Sequence, residues 1–467
     1  MSEPGLIQQA YRFALDPSVE QEALLASFTG ASRFWFNTGL ALVKERLDAR
    51  DRDQDVRVPW SYKELCSEFK GDATKDALAP WRSEVVIGSY QAGLEALGSA
   101  LQNFSHGRKH GRRVGFPKFR RKGRCPESVI FQRPRIRSAR HVEFDRRLAP
   151  LRTKERMSKL LRLLERDQRS RVMRATVSRS GDGWYVSFTV ERSPKRRRAR
   201  RPNAAVGVDV GLARLATLST GDVFANTRPL QDALRKLRRS QRQLDRQRRA
   251  NNPGNYLPDG RVKPGASNWV KSQRMLRNEA RLRRLHERVA NVRREQAHQL
   301  TTFLTREFGV IGVEHLNVRG MQANRRLARH IGDAGWGIAL SQLKYKTSWS
   351  DGSLLVAADR FYPSSKTCSR CGTVRAKLPL SDRVFACVAC GLSLDRDVNA
   401  ALNLARMAQR HAQAEGTSKC YVARTGRETL NARRGQVSPV ARGRLSPLKR
   451  EASSEATQVR EDLALAA

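Results

Sequence analysis

Three carboxylates stand in surroundings that could do chemistry: Asp209 in Val206-Gly-Val-Asp-Val-Gly-Leu212, Glu314 in Val310-Ile-Gly-Val-Glu-His-Leu316, and Asp397 in Asp395-Arg-Asp-Val-Asn-Ala-Ala401. The first two stretches alternate β-branched residues with small or acidic ones at period two, which predicts strands. Val206, Val208 and Val210 then share one face, and Gly207, Asp209 and Gly211 the other. Gly312 stands in the same relation to Glu314. A carboxylate beside glycine leaves room for a metal ion or a phosphate to approach. The third stretch opens a helix whose core face is expected at Val398, Ala401, Leu402 and Ala405. Asp395 and Asp397 point roughly 200° apart around that helix, so only one can face a shared metal. Asp395 takes the capping role common at helix starts, and Asp397 the chemistry. Three hard oxygen ligands suit two Mg2+ ions about 4 Å apart, one activating water and one stabilising the leaving oxygen of a phosphodiester. No side-chain nucleophile is required.

Acid on a first strand, acid on a later strand and acid on a late helix, in this chain order, is the carboxylate set of a RuvC-like, RNase H-fold nuclease. The sharpest local signal is different. Cys368, Cys371, Cys387 and Cys390 form two CxxC pairs, each followed by glycine, Gly372 and Gly391. Four thiolates so spaced suit tetrahedral Zn2+ in a closed structural site, and glycine admits the tight turns around it. Cys66, Cys125 and Cys420 are scattered and read as ordinary thiols; seven cysteines, an odd number, in a large basic chain argue against a disulfide framework.

Ninety Lys plus Arg against 45 Asp plus Glu give a formal charge of +45, and a polyanionic partner is the natural inference. No apolar run approaches the length of a spanning helix and no signal-peptide core opens the chain, so a cytoplasmic protein without membrane contact is expected. A length of 467 residues holds two or three domains.

The elements that must carry these residues follow in order. Ile7, Tyr11, Phe13 and Leu15 keep one parity and predict a strand; Asp16-Pro17-Ser18 reads as a turn and cap before a long helix, with further helices from Ser61 to Phe69 and Glu84 to Phe104. The basic loop after them brings Lys118, Arg120, Arg121 and Lys122 toward phosphate, with Phe116 and Phe119 anchoring it. Strands return from Ser128 to Arg192, ending in a hairpin with Trp184, Val186, Phe188 and Val190 on its buried face. Past the Asp209 strand, Leu230, Leu234, Leu237, Gln241 and Leu244, and Leu282, Leu285, Val289 and Val292, form the heptad seams of two helices joined by Asn251 to Gly265. Their outer face is dense in arginine, including Arg235, Arg238, Arg239 and Arg242, and suits nucleic acid. A helix over Trp336 to Trp349 and a strand over Leu354 to Phe361 lead to the cysteines.

Taken jointly, these motifs resemble the TnpB family of transposon-encoded RNA-guided nucleases and its compact type V CRISPR descendants, from about Tyr11 to Ala405. The resemblance rests on Gly30-Ala-Ser-Arg-Phe-Trp-Phe-Asn37, Gly115-Phe-Pro-Lys-Phe-Arg-Arg-Lys122, Gly207-Val-Asp209, Val313-Glu314-His-Leu-Asn317, Pro363-Ser-Ser-Lys-Thr-Cys368 and Asp395-Arg-Asp397-Val-Asn399. His315 departs from the acid found there in many members. The resemblance implies an α+β multidomain protein: a β-barrel from 1–16 and 128–198, an inserted helical recognition domain at 17–127, and a RuvC-like nuclease at 199–414 with a helical hairpin at 228–305 and a zinc-finger (zinc ribbon) insertion at 366–393; beyond it, 415–467 loses apolar periodicity, is rich in Arg, Ser, Gly and Pro, and reads as a mostly disordered basic tail longer than the family leads one to expect. The resemblance implies guide RNA and double- and single-stranded target DNA as partners, and cleavage beside a short flanking motif. Two alternatives stay open, a nuclease-dead guided repressor and a guide-free resolvase or strand-transfer enzyme of the same fold, as does the source of the guide, a transposon end or a CRISPR array. Oligomeric state is not legible.

Overall fold

The computed structural model describes residues 6–52, 56–123, 125–181, 183–193, 198–350, 353–379, 381–415 and 421–422. Two compact units divide the chain, 1–194 and 195–467.

In the first unit, β1 (Ile7–Asp16) is followed by the 32-residue helix α1 (Val19–Arg50), whose Ser18 cap and Gln21 form a reciprocal capping box. Helices α2 (Tyr62–Glu68), α3 (Asp72–Leu78) and α4 (Ile87–Lys109) complete the insertion. Trp35, Leu40, Leu94, Leu97 and Leu101 make a core between α1 and α4. Strands β2 (Glu127–Phe131), β3 (Arg135–Ile136), β4 (His141–Glu143) and β5 (Leu151–Thr153), helix α5 (Ser158–Arg166), and the hairpin β6 (Arg171–Ser180) and β7 (Gly183–Arg192) follow. The sheet runs β2-β6-β7-β1-β5-β4-β3, antiparallel in every pairing. Trp184, Val186, Phe188 and Val190 alternate inward as their parity predicts, and meet Phe28 of α1 in one core with Leu15 and Phe131. Short α3 and α5 were not foreseen. Seven and nine residues hold too few turns for a periodic signal to rise above noise.

The second unit is built on a six-stranded sheet ordered β10-β9-β8-β11-β12-β15. β8 (Arg201–Val210), β9 (Arg214–Leu218) and β10 (Val223–Ala225) are antiparallel neighbours. Helices α6 (Pro229–Asn251) and α7 (Gln273–Glu307) form the arm before β11 (Phe308–Val313) returns parallel to β8. Then come α8 (Val318–Gln322), α9 (Ala328–Ala334), α10 (Trp336–Trp349) and β12 (Leu354–Ala357), parallel to β11. The hairpin β13 (Val384–Ala386) and β14 (Ser393–Asp395) leads into α11 (Arg396–Glu415), and β15 (Tyr421–Val422) adds to β12. The rest of the expected disordered tail lies outside the described residues. Two expectations are corrected. The strand expected to run to Phe361 stops at Ala357, because Asp359 turns the chain, its carbonyl accepting from Tyr362 N at 3.1 Å. The core face of α11 is Ala400, Ala401, Leu404, Met407 and Ala408, while Val398, Leu402 and Ala405 are only half-buried: the buried stripe has the expected helical spacing but is rotated around the helix, sharing only Ala401 with the expected face.

The arm is pinned at its base by a buried carboxylate. Asp333 of α9 accepts from Leu230 N at 2.9 Å and Gln231 N at 3.1 Å, the free amides that start α6, and pairs with Arg293 of α7 at 3.1 Å, their side chains only 4% and 8% exposed. At the tip, Asn252 donates to Arg248 O and Val270 O and accepts from Val270 N at 2.6 Å. Of the expected seam, Leu237 and Val289 are buried and the other members half-buried; Ser240 and Asn278 share the interface, joined by a hydrogen bond. No helix among the described residues is long and apolar enough to cross a membrane.

Candidate active site and cysteine knuckle

Register brings two of the acids together. Val208 of β8 pairs with Val313 of the parallel strand β11, so the next residues, Asp209 and Glu314, stand side by side where the two strands end. Gly207 and Gly312 are paired on the same face, and α11 lies across them. A Cβ on Gly207 would come within 1.8 Å of Ala401 O, and one on Gly312 within 2.5 Å of Leu404 O. The glycines therefore make room for the backbone of a helix, not for metal or phosphate as their position beside the acids suggests from sequence. Their effect on the site is indirect: by letting α11 sit close, they bring its first turn, and Asp397, to the strand ends.

Asp395 ends β14 and caps α11, its Oδ1 accepting from Asp397 N at 2.9 Å and Val398 N at 3.2 Å, while Oδ2 pairs with Arg214 at 3.1 Å. Asp397 is free of that duty. Burial, then the charges of Glu314 and Asp397, push the Asp209 carboxyl up to about 8, against a smaller opposing pull from Arg396. Three mutually repelling carboxylates at the end of a sheet are a charge set that a bound cation would relieve.

Residues without a periodic signature complete the site. Ser364 Oγ donates to Glu314 Oε1 at 2.5 Å. The loop that carries Ser364 is held by two buried asparagines of α11: Asn403 Nδ2 donates to Ser364 O and Thr367 O at 2.8 and 2.7 Å, and Asn399 bridges Thr367 O and Ser369 N. Sequence reading passed over Ser364, Asn399 and Asn403, although the first two lie inside motifs it quoted.

The four cysteine sulfurs lie within 4.8 Å of one another, the only group of three or more His, Cys, Asp or Glu among the described residues to meet that spacing. Cys368–Cys390 and Cys371–Cys387 are each 3.6 Å apart. A tetrahedral ion with bonds of about 2.3 Å to sulfur needs edges of about 3.8 Å, so the four can hold one metal ion. Gly372 and Gly391 adopt φ of +81° and +68°, and their amides reach back to Cys368 O and Cys387 O.

The basic residues divide. Lys118, Arg121 and Lys122 are exposed, but the Arg120 guanidinium lies 3.8 Å over the Phe36 ring and its backbone is clamped by Asn37 at 2.7 and 3.0 Å. Arg120 is thereby an anchor of the loop. Phe116 anchors too, packed on Phe104 and Trp60, whereas Phe119 is half-exposed beneath Lys44, contrary to expectation. On α6, Arg235, Arg239, Arg242, Arg246 and Arg249 line one hollow of 530 Å3 with Asp245; Arg238 is exposed outside it.

Fold and site together define an α/β protein with acids gathered at the carboxyl ends of parallel strands and a four-cysteine knuckle packed against the helix that supplies the last acid. Family models match in three spans: "Helix-turn-helix domain" at 1–52, "Probable transposase" at 186–325 and "Cas12f1-like, TNB domain" at 336–404. The first span in fact holds β1 and a single long helix. The chain is 33% identical over 431 residues, 86% of its length and 87% of the relative's, to the Mycobacterium tuberculosis protein named "Putative RNA-guided DNA endonuclease MT2953". It is 30% identical over 418 residues, 85% and 91% of the two lengths, to "Putative RNA-guided DNA endonuclease InsQ" of Escherichia coli K12. A solved Cas12f1-sgRNA-target DNA complex aligns over 86% of this chain and 99% of that chain at 13% identity and a TM-score of 0.44. The chain belongs to the TnpB family.

Proposed function

We propose that this protein is an RNA-guided DNA endonuclease whose second unit is a RuvC-like RNase H-fold domain cutting one phosphodiester at a time. The observation that carries the reading is the convergence of Asp209, Glu314 and Asp397 from two adjacent parallel strands and the helix above them. The relatives' names support the substrate class. Oxygen donors in this number, with one carboxyl held up to about 8 by burial and its neighbours, fit Mg2+. Bound there, Mg2+ would supply charge stabilisation at the phosphate and lower the pKa of a water. Ser364 keeps Glu314 turned toward Asp209, and Asp395 with Arg214 fixes the start of α11 so that Asp397 faces inward. Cys368, Cys371, Cys387 and Cys390 hold a structural Zn2+. The sheet of the first unit, a barrel in this reading, with its helical insertion takes the guide and reads a short flanking motif. Exposed Lys118, Arg121, Lys122 and the arginines of α6 contact phosphate.

The test is to express the chain with its native flanking DNA, sequence the RNA that co-purifies and supply a matching duplex. A discrete RNA ending at a transposon boundary, or a repeat-spacer RNA, and guided cutting are expected. Asp209→Ala, Glu314→Ala or Asp397→Ala should each abolish cutting while target binding persists, because binding is spread over many cations. A smear of unrelated RNA together with guide-free cutting of branched DNA would replace this reading with a resolvase, and guided binding without cutting by the wild type with a repressor.

A further inference from the structure

We propose that Phe361 is a stacking platform for one unpaired base of the strand being cut, within about three nucleotides of the scissile phosphate; this rests on the nuclease reading above. Phe361 is 83% exposed, although an aromatic ring gains by leaving water. A lone exposed apolar residue is ordinary. Three features separate this one.

The segment that carries it is tied at both ends to the Glu314 neighbourhood. Ala358 N donates to Val313 O at 2.8 Å, and Ser364 Oγ donates to Glu314 itself. Two residues, Tyr362 and Pro363, separate Phe361 from Ser364, so three steps of chain span at most about 10 Å, which is the rise of about three stacked nucleotides. The tip is also rigid. Phe361 N donates to Asp359 Oδ1 at 2.9 Å, Tyr362 N to Asp359 O, and the Tyr362 hydroxyl to Asn403 O at 3.3 Å, so the ring is presented on a preformed turn. A cation stands beside it: the Arg360 guanidinium lies 5.6 Å from the ring centroid. An aromatic face beside a guanidinium is what a single nucleic-acid strand uses, base on ring and phosphate on cation, with no demand on base identity.

The test uses the full chain with its co-purified guide and a target whose displaced strand carries 2-aminopurine at each of three positions on either side of the cut, in divalent-free buffer so that binding is read without turnover. Quenching at one position is expected for the wild type. Phe361→Ala should remove it and weaken hold on that strand roughly fivefold or more, with a lower rate once Mg2+ is added and an unchanged melting temperature. Phe361→Trp should retain the quench, and Phe361→Leu should behave as the alanine variant. Unaltered quenching and cutting in Phe361→Ala, or rescue by leucine equal to that by tryptophan, overturns the proposal. If the wild type does not cut, the nuclease reading fails separately, while quenching of a single-stranded 2-aminopurine oligonucleotide still decides the stacking.

Discussion

The proton on Asp209 is the residue-scale quantity most open to measurement. Its carboxyl titrates near 8 in the folded chain without metal and near 4 when unfolded. Between those values the folded state holds a proton that the unfolded state has lost, so the contribution of this carboxyl to stability without divalent ions is fully present below about pH 4 and should be lost as pH rises from about 4 to about 8. Asp209→Asn should flatten that slope and raise the metal-free melting temperature at pH 8, at about 2–4 °C per kcal/mol recovered; a slope equal to the wild type's would mean the acids do not repel one another as described. Ser364→Ala leaves Glu314 without its donor, and cleavage about tenfold slower is expected, with Ser364→Thr restoring most of it. Asp395→Ala should act differently, costing about 1 kcal/mol in thermal stability through the lost cap while leaving measurable cutting. Strong cutting by Asp397→Ala beside a dead Asp395→Ala would reverse their roles.

Among elements, α11 decides the geometry, and its closeness to the sheet depends on two positions without side chains. Gly207→Ala would drive a methyl into Ala401 O and should destabilise the second unit by about 1–3 kcal/mol or displace the helix, seen as lost cutting together with an earlier thermal transition. Sequence alone displayed the strands of Asp209 and Glu314, the hairpin parity around Trp184, the helix Trp336–Trp349 and the cysteine spacing, because each is a local pattern with a period or a fixed count. It misread Gly207 and Gly312, since what lies above a strand is set by a helix far along the chain, at Ala401 and Leu404. Ser364, Asn399 and Asn403 escaped for the same reason: loop-to-helix hydrogen bonds leave no periodicity. Phe361 misled outright, an apolar residue at strand parity that the Asp359 turn sends outward.

For the molecule as a whole, a charge of +45 makes salt the governing variable. Each phosphate contact contributes a slope of about 0.7 to 0.9 in log affinity against log salt. Replacing Arg235, Arg239, Arg242, Arg246 and Arg249 together by Gln should flatten the slope by about 3.5 to 4.5 if all five meet phosphate, measured by titrating binding from low to moderate salt. An unchanged slope would mark them as a solvated face.

The same five arginines sit at steps of four and three along a helix fixed at one end by Asp333 and closed at the other by Asn252. Such an arm is a spacer with a unit of length. Deleting seven residues from each helix would shorten it by about 10 Å and keep its seam and its charges in phase, whereas deleting two from α6 alone would turn everything beyond them by roughly 200°. The reach of the arm is therefore adjustable only in whole heptads, and each step adds or removes two of the arginines that line the hollow.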